Sequence, residues 1–380
     1  MEKTCGLDVH KDSVFACILD EQGEKIFEKR FGTLTPDLLK LHETLVEHGC
    51  GRVAMESTSI YWMPIWHILE SSFELSLANP YFIKQLPGRK SDVKDAHWIA
   101  VCLQKDLIKS SFVPTDAVRQ MRQFTRQYRR LTKNRVRVEQ QIDNQLQRCN
   151  IRFSNYVSNQ GQNVSMRKII EKIIAGERDN EKLCGLVHGR TRNRHGEDVI
   201  ANSLSGIIQQ VDVEMLKQCM EQIDLIERQQ ATCLKHLEEL ANANFAEEIS
   251  LLCTIPGVKT LSALCILSEI GNDMSSFQKA TNLVGWAGMR PRNDETSEKI
   301  RSRKILYGNK YLRWILVEIS WAAARSQKTF LGKKFNALSK RMKSQKALIA
   351  ITRKMLVIIY NVLKTKQPFD AKKNLQAVKA

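Results

Sequence analysis

Four carboxylates give the first chemical signal in this 380-residue sequence: Asp8, Glu56, Asp92 and Asp95. Asp8 lies in the apolar run Gly6-Leu7-Asp8-Val9, and Glu56 ends another, Val53-Ala54-Met55-Glu56. Asp92 and Asp95 stand three apart in Lys90-Ser91-Asp92-Val93-Lys94-Asp95-Ala96, the expected start of a helix. Strand-end carboxylates plus a helical pair can hold two hard cations, Mg2+ or Mn2+. Two such ions roughly 3.5–4 Å apart activate an attacking oxygen and stabilise a leaving one in phosphoryl transfer. Each acid alone has a plainer reading as a cap or a first-turn helix residue. All four in this order, on strand, strand and helix, favour the catalytic reading.

The elements that must position these acids follow from periodicity. Residues 5–19 alternate around a polar turn, Asp20 to Glu24 form a second turn, and Lys25 to Phe31 alternate again, predicting a three-strand meander. Leu34 to His48 has helical spacing and stops at Gly49 and Gly51. A strand at Arg52–Glu56, a helix at Trp62–Leu69, a short strand at Leu75–Ala78 and a helix over about 91–104 complete the segment. Meander, helix, strand, helix, strand, helix is the order of a ribonuclease-H-like α/β fold.

Charge divides the chain. Residues 1–112 hold 13 Lys+Arg against 16 Asp+Glu, net −3, whereas 113–380 hold 46 against 25, net +21. An acidic head on a basic body fits a metal-dependent site joined to a polyanion-binding surface, with nucleic acid as the partner. No apolar run reaches the roughly 18 residues a membrane-spanning helix needs. The opening Met1-Glu2-Lys3-Thr4 resembles no signal peptide. Ten cysteines, with no Cys-x-x-Cys pair, are expected to be reduced core thiols of a cytoplasmic protein.

After Pro114 a long helix is expected, with Met121, Phe124, Tyr128, Leu131, Arg135, Val138, Ile142 and Cys149 on one heptad-like stripe. A second such stripe runs through Leu216, Cys219, Ile223, Ile226, Gln230, Cys233, Leu237 and Leu240, with Gln230 as its single polar break. The two helices are expected to pair within one chain or across protomers. The first also carries Arg119, Arg122, Arg126, Arg129, Arg130, Lys133 and Arg137, with no acid between Val118 and Val138. Charge of one sign suggests a helix that tracks a phosphate backbone. Residues 155–205 are polar and weakly periodic, and no elements are assigned to them.

Further on, Ile255-Pro256-Gly257-Val258-Lys259 joins two helices in a helix-hairpin-helix-like pattern, either phosphate-holding or a plain turn. A polar, basic stretch runs from Arg290 to Lys304 and includes Arg292, Thr296, Ser297, Arg301 and Arg303; Gly308-Asn309-Lys310-Tyr311-Leu312-Arg313 then opens an apolar helix. The basic residues Arg290, Arg292, Arg301, Arg303, Lys304, Lys310 and Arg313 are candidate nucleic-acid contacts. A hydroxyl among these cations could attack a phosphodiester. Lys/Arg-rich helices from Lys333 to Lys354 are also expected to hold nucleic-acid backbone.

These motifs together resemble the insertion sequence 110 family of DEDD transposases, whose relatives include Piv-type DNA invertases. The resemblance rests on Gly6-Leu7-Asp8-Val9-His10-Lys11, Met55-Glu56-Ser57-Thr58, Asn79-Pro80, Lys90 to Ala96, Ile255 to Val258, Trp286-Ala287-Gly288-Met289-Arg290-Pro291 and Gly308 to Arg313. It implies three regions: a RuvC-like metal-binding domain over 1–112, a coiled-coil and basic linker region over 113–250, and a mostly helical C-terminal transposase domain over 251–380. It implies Asp8, Glu56, Asp92 and Asp95 as Mg2+ (or Mn2+) ligands and a C-terminal serine nucleophile forming a covalent phosphoserine during strand exchange. The family's loop commonly reads Glu-Ser-Ala-Gly or Ser-Gly-Gly; here it is Glu295-Thr296-Ser297-Glu298, so the nucleophile position falls on Ser297, then on Thr296 one register back, with Ser302 a third choice. The implied partners are double-stranded donor and target DNA and a structured noncoding bridge RNA. A dimer or tetramer that combines protomers at the active site, in the bacterial cytoplasm near the nucleoid, is implied as well. The competing reading is a metal-only RuvC-type nuclease or Holliday-junction resolvase, which needs the carboxylates but no serine.

Overall fold

The structure is a computed structural model and describes residues 2–83, 95–157, 164–290, 294–296, 299–302, 305 and 307–371. The chain divides into two compact units, Met1–Val113 and Pro114–Ala380. The first division falls one residue from the expected one. Position 250/251 lies inside the single helix Gln210–Cys253.

In the first unit, β1 (Thr4–Val9), β2 (Val14–Leu19) and β3 (Lys25–Phe31) form the expected antiparallel meander. Then come α1 (Thr35–Glu47), β4 (Arg52–Glu56), α2 (Trp62–Leu69), β5 (Glu74–Ala78), α3 (Pro80–Ile83) and α4 (Asp95–Gln104). The sheet order is β3-β2-β1-β4-β5, with β1, β4 and β5 parallel. This is the strand order of a ribonuclease-H-like fold.

Strand alternation decides which side chain meets which layer. Cys5, Leu7 and Val9 of β1 pack with Leu38, Leu41 and Leu45 of α1 and Ile65 and Leu69 of α2. On the opposite face, Ala54 of β4 and Ala78 of β5 pack with Trp98, Ile99 and Cys102 of α4, and Cys17 and Leu19 of β2 meet Ala96 and Ala100. Sheets covered on both faces need near-continuous apolar strands, which explains Val53-Ala54-Met55.

The tightest contact lies at Gly6. A Cβ there would stand 2.2 Å from the Ala96 carbonyl oxygen and 2.4 Å from the Ala100 nitrogen, both backbone atoms of α4. Gly6→Ala must therefore push α4 off the sheet. It should cost about 1–3 kcal/mol as an overpacking change and lower the thermal midpoint of the first unit; an unchanged melting curve would contradict this packing.

In the second unit, α5 (Asp116–Arg148) is followed by a short 3-10 turn at Phe153–Tyr156 and then α6 (Val164–Ile174), α7 (Asn180–Gly185), α8 (Gly189–His195) and α9 (Glu197–Ser203). Helix α10 (Gln210–Cys253) runs back along α5, with a break at Phe245 (φ −143°, ψ 25°). Gln145 donates to Asp212 at 2.6 Å, Arg135 pairs with Glu227 at 3.1 Å, and Phe124 stacks on His236 at 5.4 Å, so the pair is antiparallel. Leu131, Val138, Ile142 and Cys149 of the first predicted stripe share one core with Leu216, Ile223, Ile226 and Cys233 of the second, and Leu146 joins them. Gln230, the predicted polar break, donates to the Thr132 hydroxyl at 3.0 Å. The long helices thus pair within one chain. The unassigned stretch 155–205 contributes Ile169, Ile170, Ile173, Leu183 and Ile200 to the same core.

The remaining elements are α11 (Thr260–Ile270), α12 (Ala280–Trp286), the short strands β6 (Asp294–Thr296) and β7 (Lys299–Ser302), α13 (Lys310–Arg325), α14 (Phe330–Ser339) and α15 (Ser344–Thr365). Strands β6 and β7 pair antiparallel, so the stretch expected as an irregular loop contains a hairpin. All ten cysteines are free thiols, eight of them buried, with Cys219 half-buried and Cys253 exposed. Among the described residues no helix is long and apolar enough to cross a membrane.

Candidate active site

Parallel pairing sets Leu7 opposite Met55, so the next residues, Asp8, one short of the end of β1, and Glu56, the last of β4, lie side by side. Asp8 shares a face with Gly6, and Glu56 with Ala54, the face that α4 covers. Helix α4 runs antiparallel to β1. Its last residue, Gln104, donates to the Asp20 carbonyl at 2.7 Å beyond the end of β2, the edge where β1 starts. Its first described residue, Asp95, therefore lies at the edge where β1 ends. Three of the four predicted carboxylates thus gather at one sheet edge. The fourth, Asp92, lies outside the described residues.

Around this edge, His10 Nε2 stands 3.1 Å from Asp8 Oδ2, and the Thr58 hydroxyl donates to Glu56 Oε1 at 3.1 Å. Asp8 is only 14% exposed, so a partner that fixes its rotamer matters. His10 was not assigned a role from sequence; its signal was its position two residues beyond Asp8, at the start of the turn into β2. Among the described residues no three His, Cys, Asp or Glu side chains form a metal-holding group. The donor set itself is all carboxylate oxygen, the chemistry a hard cation selects.

In the second unit, Thr296 pairs through its backbone with Lys299 across the hairpin. Ser297, the predicted nucleophile, lies outside the described residues, as do Arg292, Arg303 and Lys304. Arg301 is in β7. The base of this segment is built tightly. A Cβ on Gly308 would stand 2.3 Å from the Gly288 nitrogen and 2.4 Å from the Ala287 carbonyl carbon. The two Gly-containing motifs, at 286–291 and 308–313, thus close the base of the hairpin backbone to backbone.

Below that base sits a carboxylate that sequence reasoning missed. Glu269 of α11 is 2% exposed. Arg126 of α5 donates to both its oxygens at 2.9 Å, and Asn309 donates to Oε2 at 2.5 Å. The Asn309 side chain in turn accepts from the Tyr311 and Leu312 amides, capping α13. Arg122 donates to the Ser268 and Glu269 carbonyls at 2.9 and 2.7 Å. Burial pulls Arg122 down to about 10, although Glu269 acts in the opposite direction. The available signal was a lone acid in the otherwise uncharged helix Thr260–Ile270, because a buried charge needs a partner.

This clamp changes the reading of the basic helix. Arg122 and Arg126 were expected to track a nucleic-acid backbone, yet both guanidinium groups are turned onto Glu269 and its carbonyls. Arg129 donates to the Lys310 carbonyl at 3.1 Å and lies 4.4 Å over the Trp314 ring, so it too is committed inward. Arg119 pairs with Asp116 at 3.3 Å, and Arg313 faces the Gly288 carbonyl at 3.4 Å. For Arg122 and Arg126 the physical reason is the buried Glu269 and the carbonyls at the end of α11, which compete with solvent for these donors. Arg130, Lys133 and Arg137 stay exposed, as do Arg290 and Lys310.

Strand order and the acidic sheet edge define a ribonuclease-H-like protein with a second, basic, helical unit. A family profile described as DEDD-type IS110 "Transposase" matches residues 5–151, and one described as "Transposase IS116/IS110/IS902 family" matches residues 249–334. The chain belongs to the IS110 family of transposases. It is 34% identical over 124 residues to the pilin gene-inverting protein of Moraxella bovis and 36% over 126 residues to that of Moraxella lacunata. Each alignment covers 32% of this chain and 38% of the relative, so the matched part spans well under half of those proteins. The transposase for insertion sequence element IS1111A of Coxiella burnetii is 23% identical over 97% of this chain and 91% of its own. The T. thermophilus RuvC structure in complex with a Holliday junction substrate covers 29% of this chain and all of its own, at TM-score 0.22 and 12% identity.

Removing the Glu269 carboxylate would strand two partly buried guanidinium groups. Glu269→Ala should cost about 3 kcal/mol, the low end for breaking a buried pair, because Arg126 is 37% exposed and can rehydrate. Urea unfolding of the second unit checks this; a loss under about 1 kcal/mol, the surface-pair range, would contradict the clamp.

Proposed function

We propose that this protein is a DNA recombinase of an insertion sequence, joining strands through a serine nucleophile assisted by Mg2+ or Mn2+ at Asp8, Glu56, Asp92 and Asp95. The observation that carries the reading is the gathering of strand-end carboxylates at one sheet edge in a chain of the transposase family. Bound cations would supply charge neutralisation on the phosphoryl oxygens. The carboxylates hold them, and His10 holds Asp8 in place. Ser297 is the nucleophile in this reading, with Thr296 the register alternative.

The serine oxygen forms an ester to phosphorus as the P–O3′ bond breaks. The leaving 3′ oxygen takes up a proton, and the strand stays attached as a 5′-phosphoserine. A 3′-hydroxyl of a second strand then attacks that phosphorus and releases the serine hydroxyl. One phosphodiester-type bond is exchanged for another, so no external energy source enters. A structured guide RNA that pairs with donor and target DNA supplies sequence choice. The working form is a dimer or tetramer. The long α5–α10 pair serves as a coiled-coil spacer, and the Pro256-Gly257 turn before α11 adds a backbone-phosphate contact. The acidic edge alone also suits a metal-only nuclease of the Holliday-junction resolvase type, in which water replaces serine.

Trapping separates the two. Wild type incubated with its DNA and divalent metal should yield a covalent 5′-phosphoseryl adduct that Ser297→Ala abolishes. Asp8→Asn should slow its formation by at least about a hundredfold, since several kcal/mol of charge stabilisation go with the metal. Undiminished strand cleavage by Ser297→Ala, without any adduct, would overturn the serine mechanism in favour of hydrolysis.

Binding gives a second expectation. Substituting Arg130, Lys133 and Arg137 by Gln should flatten the log–log salt dependence of duplex binding by about 0.9 for each phosphate the helix no longer neutralises. Glu269-facing Arg126 should alter stability instead. An unchanged slope in the triple variant would exclude this helix from the interface.

A further inference from the structure

Helices α14 and α15 enclose an open groove of about 780 Å3 beside the hairpin base, where Met289 lines one wall. On α15, Lys346, Arg353 and Lys354 alternate at helical spacing with Ile349, Ala350 and Val357. On α14, Lys334 stands one turn from Leu338. Each helix therefore presents cations and bare apolar surface together. The core-facing side of α15 is separate: Ile351, Met355 and Ile359 are fully buried. Among the described residues no Asp or Glu lines the groove. Lys354 is held below its ordinary value by burial and by neighbouring Lys334, so two like charges are kept close to one another.

Cations around an apolar floor, with no acid among the described lining residues, fit a ligand that is anionic at its rim and flat and apolar at its centre. A duplex backbone offers the first property but not the second, because its bases are stacked inside. An unpaired nucleotide offers both: phosphates for the lysines and arginine, and a base face for the floor. We infer that this groove receives an unpaired nucleotide of a DNA strand next to the serine hairpin. The inference rests on the proposal that the protein acts on DNA. It adds that the protein grips a strand locally opened at the site of exchange.

The test uses the full-length protein and three DNA probes of equal length: a blunt duplex, the same duplex with a short single-stranded gap, and the gapped probe with abasic sites in the gap. Ala350→Gln lays a polar side chain over the floor at a half-buried position in a helix that accepts Gln. It should weaken gapped-DNA binding about tenfold and leave blunt-duplex binding unchanged, which also establishes that the variant is folded. The abasic probe should bind wild type about tenfold more weakly than the intact gapped probe, and Ala350→Gln should remove that difference. Lys334→Gln with Lys354→Gln should weaken the gapped and abasic probes alike. Equal binding of gapped and abasic probes by wild type, an equal loss on duplex and gapped DNA in Ala350→Gln, or tighter binding of a matching RNA gap strand would each overturn the inference. Wild type that binds none of the DNA probes would overturn the underlying DNA reading as well.

Discussion

The Ala96 carbonyl occupies the space where any side chain on Gly6 would have to be. Much in the first unit follows from that contact. It lets α4 lie directly on β1 and seals the sheet with Ala96 and Ala100 against Cys17 and Leu19. Only because α4 sits this low and runs antiparallel to β1 does Asp95 reach the edge where Asp8 and Glu56 lie near the ends of their strands. A bulkier residue at position 6 would lift the helix and carry Asp95 away from the strands. The Gly-x-Asp spacing thus joins a packing requirement to a chemical one in three residues.

The second unit is organised by a comparable economy around one buried acid. Glu269 holds Arg126 of α5 and Asn309, which caps α13. Three helices distant in sequence are tied at the point where the chain leaves for the hairpin and where it returns. Gly288 and Gly308 then bring the two ends of that segment into backbone contact. The strands β6 and β7 thus rise from a base that is packed backbone to backbone. A desolvated carboxylate with bidentate arginine geometry is among the stiffer ways to make one.

Much of this was legible in the sequence. The meander, the strands ending at Glu56 and Ala78 and the two long stripes follow from periods of two and of three to four residues, which are local properties. Gln230 was recognisable as a polar break because every neighbour on its stripe is apolar. Three features were not legible, each for a physical reason. Helices α7 to α9 have 6 or 7 residues each, under two turns, too few for a period to register. The arginines of α5 share one composition, yet Arg122 and Arg126 serve a buried acid more than 140 residues away, while Arg130 and Lys133 face solvent; no local pattern encodes that partition. The hairpin at 294–302 has strands of 3 and 4 residues rich in charge, so it lacks the apolar alternation that marks a strand.

Cation binding by the acids at the sheet edge as one site is directly measurable. Titration of the full-length protein with Mn2+, followed by electron paramagnetic resonance of the free ion, measures this without reference to activity. The account predicts saturable binding that Asp8→Asn and Asp92→Asn each remove, with the thermal midpoint of the first unit rising on metal addition in wild type alone. Binding of equal strength in wild type and both variants, or no saturable binding in wild type, would contradict it.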